Sequence, residues 1–239
     1  MRKCKIGIVG LGTVGSGIYK ILSSEVDSHP ILKEIEIAKI AVKDLNKKRV
    51  IELDNNLLTD DPFKLINDPS IDVIVEVMGG VDLAKDIILN SLKLGKSVVT
   101  ANKAVIARYG EEIYKTASKE RVYILSEAAV CGGIPIIEPL KRSLKSNSIK
   151  KMVGIINGTT NFILSKMTNE KADYKETLKL AQSLGYAEFD PTADVEGHDA
   201  ADKISILRNL HLEGKSKERR YILRALVKLI SRILNMPIN

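Results

Sequence analysis

Two cysteines, Cys4 and Cys131, in 239 residues are too few for a disulfide framework. The chain also lacks any run near the roughly 18 consecutive apolar residues of a membrane helix. Its longest uncharged stretch, Met152 to Ser165, is broken by Asn157, Gly158 and two threonines. No secretory apolar core follows Met1, which leads directly into a charged, strand-like segment. No solenoid period recurs. The expectation is a cytoplasmic protein without a membrane span. Its 44% hydrophobic content excludes a disordered chain, and at about 100–200 residues per domain the length allows one large or two modest domains.

Most of the chain also has little net charge, although the whole carries +7. Residues 208–239 hold eight Lys and Arg against two acids, leaving 29 bases and 28 acids in the rest. The excess positive charge is a property of one terminal segment. There Arg220, Arg224, Lys228 and Arg232 recur every four residues among Ile222, Leu223, Leu226, Leu229, Ile230 and Ile233, the pattern of a basic amphipathic helix. A helix packed on the body is the favoured reading, ahead of unselected residues from a truncated or frame-shifted gene. A membrane-surface or nucleic-acid-binding helix comes last, because the basic stripe is not interleaved with aromatics.

Strands and helices alternate in the first half. Lys5 to Val9 is a short apolar run ending in glycine, followed by helical spacing of Val14, Ile18, Ile21 and Leu22. Ile35–Val42, Val73–Val77, Ser97–Thr100 and Val122–Leu125 read as further strands. Helices are expected after Asp61-Pro62, over 81–93 and over 111–119. Runs of Val and Ile separated by helices imply a parallel sheet covered on both faces. The expected class is α/β: a doubly wound, Rossmann-type domain over residues 1–130. A partial α+β catalytic domain is expected over 131–207, with one strand near Met152–Ile156, and a basic helical tail over 208–239.

The first strand and helix are joined by Gly10-Leu11-Gly12-Thr13-Val14-Gly15. Glycines here allow a tight turn, close approach of backbone N–H groups to a pyrophosphate, and close helix packing, so these positions are candidate dinucleotide contacts. At the end of the second strand, Lys43 with Lys47, Lys48 and Arg49 behind it favours the 2′-phosphate of NADP, while Asp44 keeps NAD open. Lys103 follows the fourth strand, at the carboxyl end of the sheet where open α/β sheets bind ligands. Cys131 has no basic neighbour in sequence, so it reads as a structural thiol rather than a nucleophile.

Chemistry is densest from Glu188 through Asp190, Asp194, Glu196, Asp199 and Asp202 to Lys203. Asp199 and Lys203 stand four apart on one helix, where a carboxylate can orient an ammonium group. The bland alternative is a surface ion pair. An acidic loop leading into an oriented lysine suits a substrate that carries an amino group and needs a proton delivered.

Taken in order, the glycine turn, Ala101-Asn102-Lys103-Ala104, the Glu127 to Pro135 loop, Asn157-Gly158-Thr159-Thr160-Asn161 and the stretch from Ala181 through Asp190-Pro191, Asp194, Gly197 and Asp199 to Lys203 resemble homoserine dehydrogenase over residues 3 to about 207. The resemblance implies reversible NAD(P)-dependent interconversion of L-homoserine and L-aspartate 4-semialdehyde, a step toward threonine, methionine and isoleucine. It implies Lys203 as proton donor and acceptor, Asp199 positioning it, Lys103 at the cofactor and reacting oxygen, and Glu188 and Asp194 on the substrate ammonium. It also implies a monovalent cation, sodium, held by Glu127 and the carbonyls of Val130, Gly132 and Ile134. Phe189 stands where the family commonly has a small residue. The family's sheet-built homodimer is not expected, because only one strand of that sheet is found. A chain that binds NADP without turnover is the alternative.

Overall fold

The computed structural model describes residues 2–24, 29–49, 51–147, 149 and 151–211, with the side chains of 208–211 excepted. The chain divides into two compact units, Met1–Glu138 and Pro139–Asn239.

The first unit is a six-stranded sheet of β1 (Cys4–Val9), β2 (Ile35–Ala41), β3 (Leu58–Thr59), β4 (Val73–Glu76), β5 (Ser97–Thr100) and β6 (Ile124–Leu125). Every neighbouring pair is parallel, and the spatial order is β3-β2-β1-β4-β5-β6. That order reverses between β1 and β4, which opens a crevice at the carboxyl ends of the strands where dinucleotides bind in such sheets. Helices α1 (Thr13–Ser23), α2 (Pro62–Asn67), α3 (Asp82–Lys93) and α4 (Lys103–Glu120) make the connections. Ile8, Ile40 and Ile74 in the strands and Ile87, Ile88 and Leu92 on α3 are fully buried. Each contributes about 1.5–3 kcal/mol through burial.

Local signals account for the starts of α2 and α4. Asp61 accepts the amide of Lys64, and Pro62 occupies the first turn of α2 where its missing N–H costs nothing. The edge strand β3 is too short to carry a periodic signal. Residue 103 was expected at a strand terminus and a helix only from 111. Instead α4 begins at Lys103, because Asn102 caps it through the amide of Val105.

The second unit contains α5 (Gly158–Glu170), α6 (Tyr174–Ser183), α7 (Thr192–Val195) and α8 (His198–His211). Its small core joins Ile163, Ala181, Ala187 and Val195, flanked by a stacked Phe162–Tyr186 pair with centroids 4.8 Å apart. Asp173 caps α6 through the amides of Lys175 and Glu176, as its spacing predicts. The strand expected at Met152–Ile156 does not form. The segment pairs with no strand among the described residues, and Val153 and Ile155 are exposed at 84% and 75%. An apolar run becomes a strand only when a ladder partner satisfies the backbone, and the described residues supply none here. Of the expected basic helix, residues 212–239 lie outside the described residues, while α8 runs past Leu207 to His211.

Candidate functional site

At the crevice of the first unit, the three glycines of the β1–α1 turn have distinct physical reasons. Gly10 has φ of 106°, and a Cβ there would lie 2.6 Å from Met78 Cα and Val77 O. At Gly15 a Cβ would meet the Gly10 carbonyl at 2.2 Å. These two pack the turn against β4 and itself. A Cβ on Gly12 would meet no protein atom within 4 Å. No packing requirement accounts for that glycine, whereas close approach of a ligand's phosphates would. Gly12 caps α1 without a side chain, so the amides of Thr13 and Val14 lie at the positive end of an uncapped helix. The turn therefore fits a pyrophosphate.

Past β2, Asp44 accepts the amide of Asn46 in an Asx turn at 2.8 Å. The Arg49 guanidinium donates to the carbonyls of Asp44, Leu45 and Lys47 at 2.6, 3.3 and 2.9 Å. Asp44 and Arg49 thus fasten this loop, while Lys43 is exposed at the tip of β2. Lys103 opens α4, where a cation opposes the helix dipole. That placement suits binding to an anionic or polarised oxygen better than it suits helix stability.

After β6 the Glu127 carboxylate gathers backbone amides: Oε1 accepts from Ile136 and, at 2.8 Å, from Ile137, and Oε2 accepts from Glu138 at 2.9 Å. Cys131 and Gly133 have φ of 54° and 79°, and the amide of Ile134 donates to the Cys131 carbonyl. Ser126 meets the Tyr114 hydroxyl at 2.7 Å, and burial pushes the Tyr114 phenol upward. No group of three or more His, Cys, Asp or Glu side chains that could hold a metal is found among the described residues.

The second unit builds a polar centre around Asn157. Its Oδ1 caps α5 by accepting from the amide and hydroxyl of Thr160 at 2.8 and 2.9 Å. Its Nδ2 donates to Asp194 Oδ1 at 2.7 Å and Asp199 Oδ2 at 2.9 Å. The Thr159 hydroxyl lies 2.9 Å from Asp194 Oδ2. Lys203 Nζ is 2.8 Å from Asp199 Oδ2 and also donates to the Ile156 carbonyl.

The Lys203 and Asp199 side chains are only 17% and 9% exposed. The solvated surface pair is therefore excluded, and Lys203 has a single orientation set by two acceptors. Asp199, in the first turn of α8, also favours that helix's dipole. Thus Asp194, Asp199 and Lys203 converge. Glu188 is exposed nearby in sequence, and its backbone carbonyl accepts from Gln182. Phe189 is 99% exposed, so its bulk displaces nothing in this unit. Asn157 and Thr159 are added by the tertiary structure. Their motif was visible in the sequence, but its link to the carboxylates some forty residues on was not.

Two family models match the chain: the homoserine dehydrogenase NAD-binding domain over residues 10–127 and homoserine dehydrogenase over residues 135–232. The chain belongs to the homoserine dehydrogenase family. The second match continues past Leu207, beyond the last of the sequence motifs, so much of the basic segment lies within the family region. A homoserine dehydrogenase of Synechocystis is 54% identical over 89% of this chain and 49% of its own length. One of Bacillus subtilis is 49% identical over 88% and 49%. The chain thus spans about half the length of these curated relatives.

Among solved structures, the Thiobacillus denitrificans homoserine dehydrogenase aligns with a TM-score of 0.76 and 44% identity over 87% of this chain and 48% of that one. A hyperthermophilic archaeal homoserine dehydrogenase in complex with NADPH aligns with a TM-score of 0.76 and 28% identity, over 90% and 72%. No helix of the described residues is long and apolar enough to cross a membrane.

Proposed function

We propose that this chain carries homoserine dehydrogenase chemistry, the reversible interconversion of L-homoserine and L-aspartate 4-semialdehyde. The observation that carries the reading is the enclosed Lys203–Asp199 pair held by Asn157, in a family member whose first unit has an open glycine turn for a dinucleotide. Bound NADP(H) supplies or accepts the hydride. Lys203 needs only to move the accompanying proton: its ammonium donates to the alkoxide during reduction, and the neutral amine accepts the hydroxyl proton during oxidation. Asp199 and the Ile156 carbonyl direct the nitrogen. Asp194 and Glu188 take the substrate ammonium, and Lys103 contacts the cofactor at the positive end of α4.

NADP is favoured over NAD. Lys43 stands free at the end of β2 to meet a 2′-phosphate, whereas Asp44 is engaged in its own loop. Lys43→Ala is expected to weaken NADPH binding about tenfold more than NADH binding, as loss of one charge-assisted contact would. Sodium fits the carbonyls of Val130, Gly132 and Ile134, which accept no backbone amide among the described residues. The Glu127 carboxylate holds the loop rather than standing as an open ligand. A cation there would brace the loop and takes no part in proton transfer. The reaction would serve threonine, methionine and isoleucine synthesis in the cytoplasm, with a free amino acid as substrate and no nucleic-acid partner.

Homoserine-dependent NADP reduction by the purified, folded chain tests the reading. Lys203→Ala is expected to abolish turnover while NADPH binding persists. Binding of a dinucleotide without turnover is the second reading. The Met152–Ile156 segment, unpaired among the described residues, favours it, because that segment delivers the carbonyl on which Lys203 rests. Wild-type chain that binds NADPH but never reduces NADP would decide for it.

A further inference from the structure

Glu76 ends β4, a strand otherwise composed of Val73, Ile74 and Val75, and it is fully buried. An ionised carboxylate with no cation partner costs several kcal/mol to bury. Among the described residues no lysine or arginine forms a salt bridge with it. Its contacts all lie at the carboxyl edge of the sheet. Oε2 accepts the Thr100 hydroxyl at 2.6 Å, across the β4–β5 register that pairs Glu76 with Thr100. Oε1 accepts the Met78 amide at 3.0 Å and faces Asn102 Nδ2 at 3.5 Å.

Thr100 passes the link on, since its Oγ accepts the Asn102 amide at 2.9 Å. Asn102 is then fully committed: Oδ1 caps α4 at the Val105 amide, and Nδ2 also donates to the Gly80 carbonyl at 2.8 Å. One buried carboxylate therefore ties together the residues after β4, including Gly79-Gly80 with φ of 75° and 76°, and the entry to α4 at Lys103.

The pyrophosphate turn leaves β1 and the ribose-selecting loop leaves β2. The adenosine half of a dinucleotide thus lies on the β2 side of the crevice, and the nicotinamide half faces the ends of β4 and β5. A helix-capping asparagine needs no buried acid beneath it. We infer that Glu76, through Thr100 and Asn102, is a positioning residue that shapes the nicotinamide end of the site and sets the placement of Lys103. This rests on the dinucleotide reading above.

The test is equilibrium binding of NADPH and of its fragment 2′-phospho-ADP-ribose, which lacks only the nicotinamide ring. It uses the wild-type chain, Glu76→Gln, Thr100→Val and Thr100→Ser. Thr100→Val conserves shape and removes only the bridging hydroxyl, so it carries the test should Glu76→Gln fail to fold. NADPH affinity is expected to fall about tenfold in Thr100→Val, with fragment affinity unchanged and Thr100→Ser close to wild type. Equal losses for both ligands, or no loss for either, overturn the inference. A folded wild-type chain that binds neither ligand overturns the dinucleotide reading itself, and the inference with it.

Discussion

Asn157 and Asp199, forty-two positions apart, meet through a 2.9 Å hydrogen bond to Oδ2, the same carboxylate oxygen that lies 2.8 Å from Lys203 Nζ. An asparagine that caps one helix therefore orients the acid on another, and that acid orients the lysine. Substituting Asn157 should act at two levels. Asn157→Ala removes an N-cap and two donors to carboxylates, which should lower stability by about 1–3 kcal/mol. If the proposed chemistry holds, misorientation of Lys203 should lower kcat/KM on the order of a hundredfold. Asn157→Asp should be worse, because a third carboxylate then faces Asp194 and Asp199. Denaturant titration and steady-state kinetics separate the two effects.

The glycine turn predicts a dissociation between folding and binding. Gly15→Ala drives a Cβ into the Gly10 carbonyl and should destabilise the chain by about 1–3 kcal/mol, as overpacking does. Gly12→Ala meets no protein atom, so the melting temperature should change little while NADPH affinity falls. Similar stability losses from both substitutions would contradict the assignment of Gly12 to ligand approach.

Lys96 enters β5 from the opposite end of the sheet. Its buried ammonium donates to the carbonyls of Asp68 and, at 2.8 Å, of Ile71. Lys96→Met keeps the aliphatic stem but leaves both carbonyls without this donor. Stability should fall by about 1–3 kcal/mol, with dinucleotide affinity unchanged. Chemical denaturation with and without NADPH measures both.

Tyr114 predicts an alkaline limit. Burial is the first cause of its raised phenol pKa. Above the unfolded value of about 10, the unfolded chain loses a proton that the folded chain retains, so this group's contribution to stability declines as pH rises through that window. Tyr114→Phe should flatten this limb, and an ultraviolet tyrosinate titration should lose one late-ionising group.

The acidic loop has its own signature. Hydrogen bonds from the Thr192 amide and hydroxyl hold the exposed Asp190 carboxyl below the usual range, with the side-chain bond the larger cause. Thr192→Val should return it toward the ordinary aspartate value, measurable by carbon-detected NMR titration.

Local chemistry in the sequence determined the alternating α/β class, the glycine turn and the caps at Asp61 and Asp173. Each depends on contacts within a few residues or on an apolar period that repeats along the chain. The Asp199–Lys203 pairing was legible for the same reason, since four residues on a helix make one face. The tertiary structure decided that this pair is enclosed rather than solvated, that Asn157 and Thr159 join it, and that Glu76, Thr100 and Asn102 form a buried network. It also overruled the apolar run at Met152–Ile156, for which the described residues offer no ladder partner. Burial and long-range hydrogen bonding depend on which segments pack together, and a side chain's place in the sequence does not reveal its neighbours across the fold.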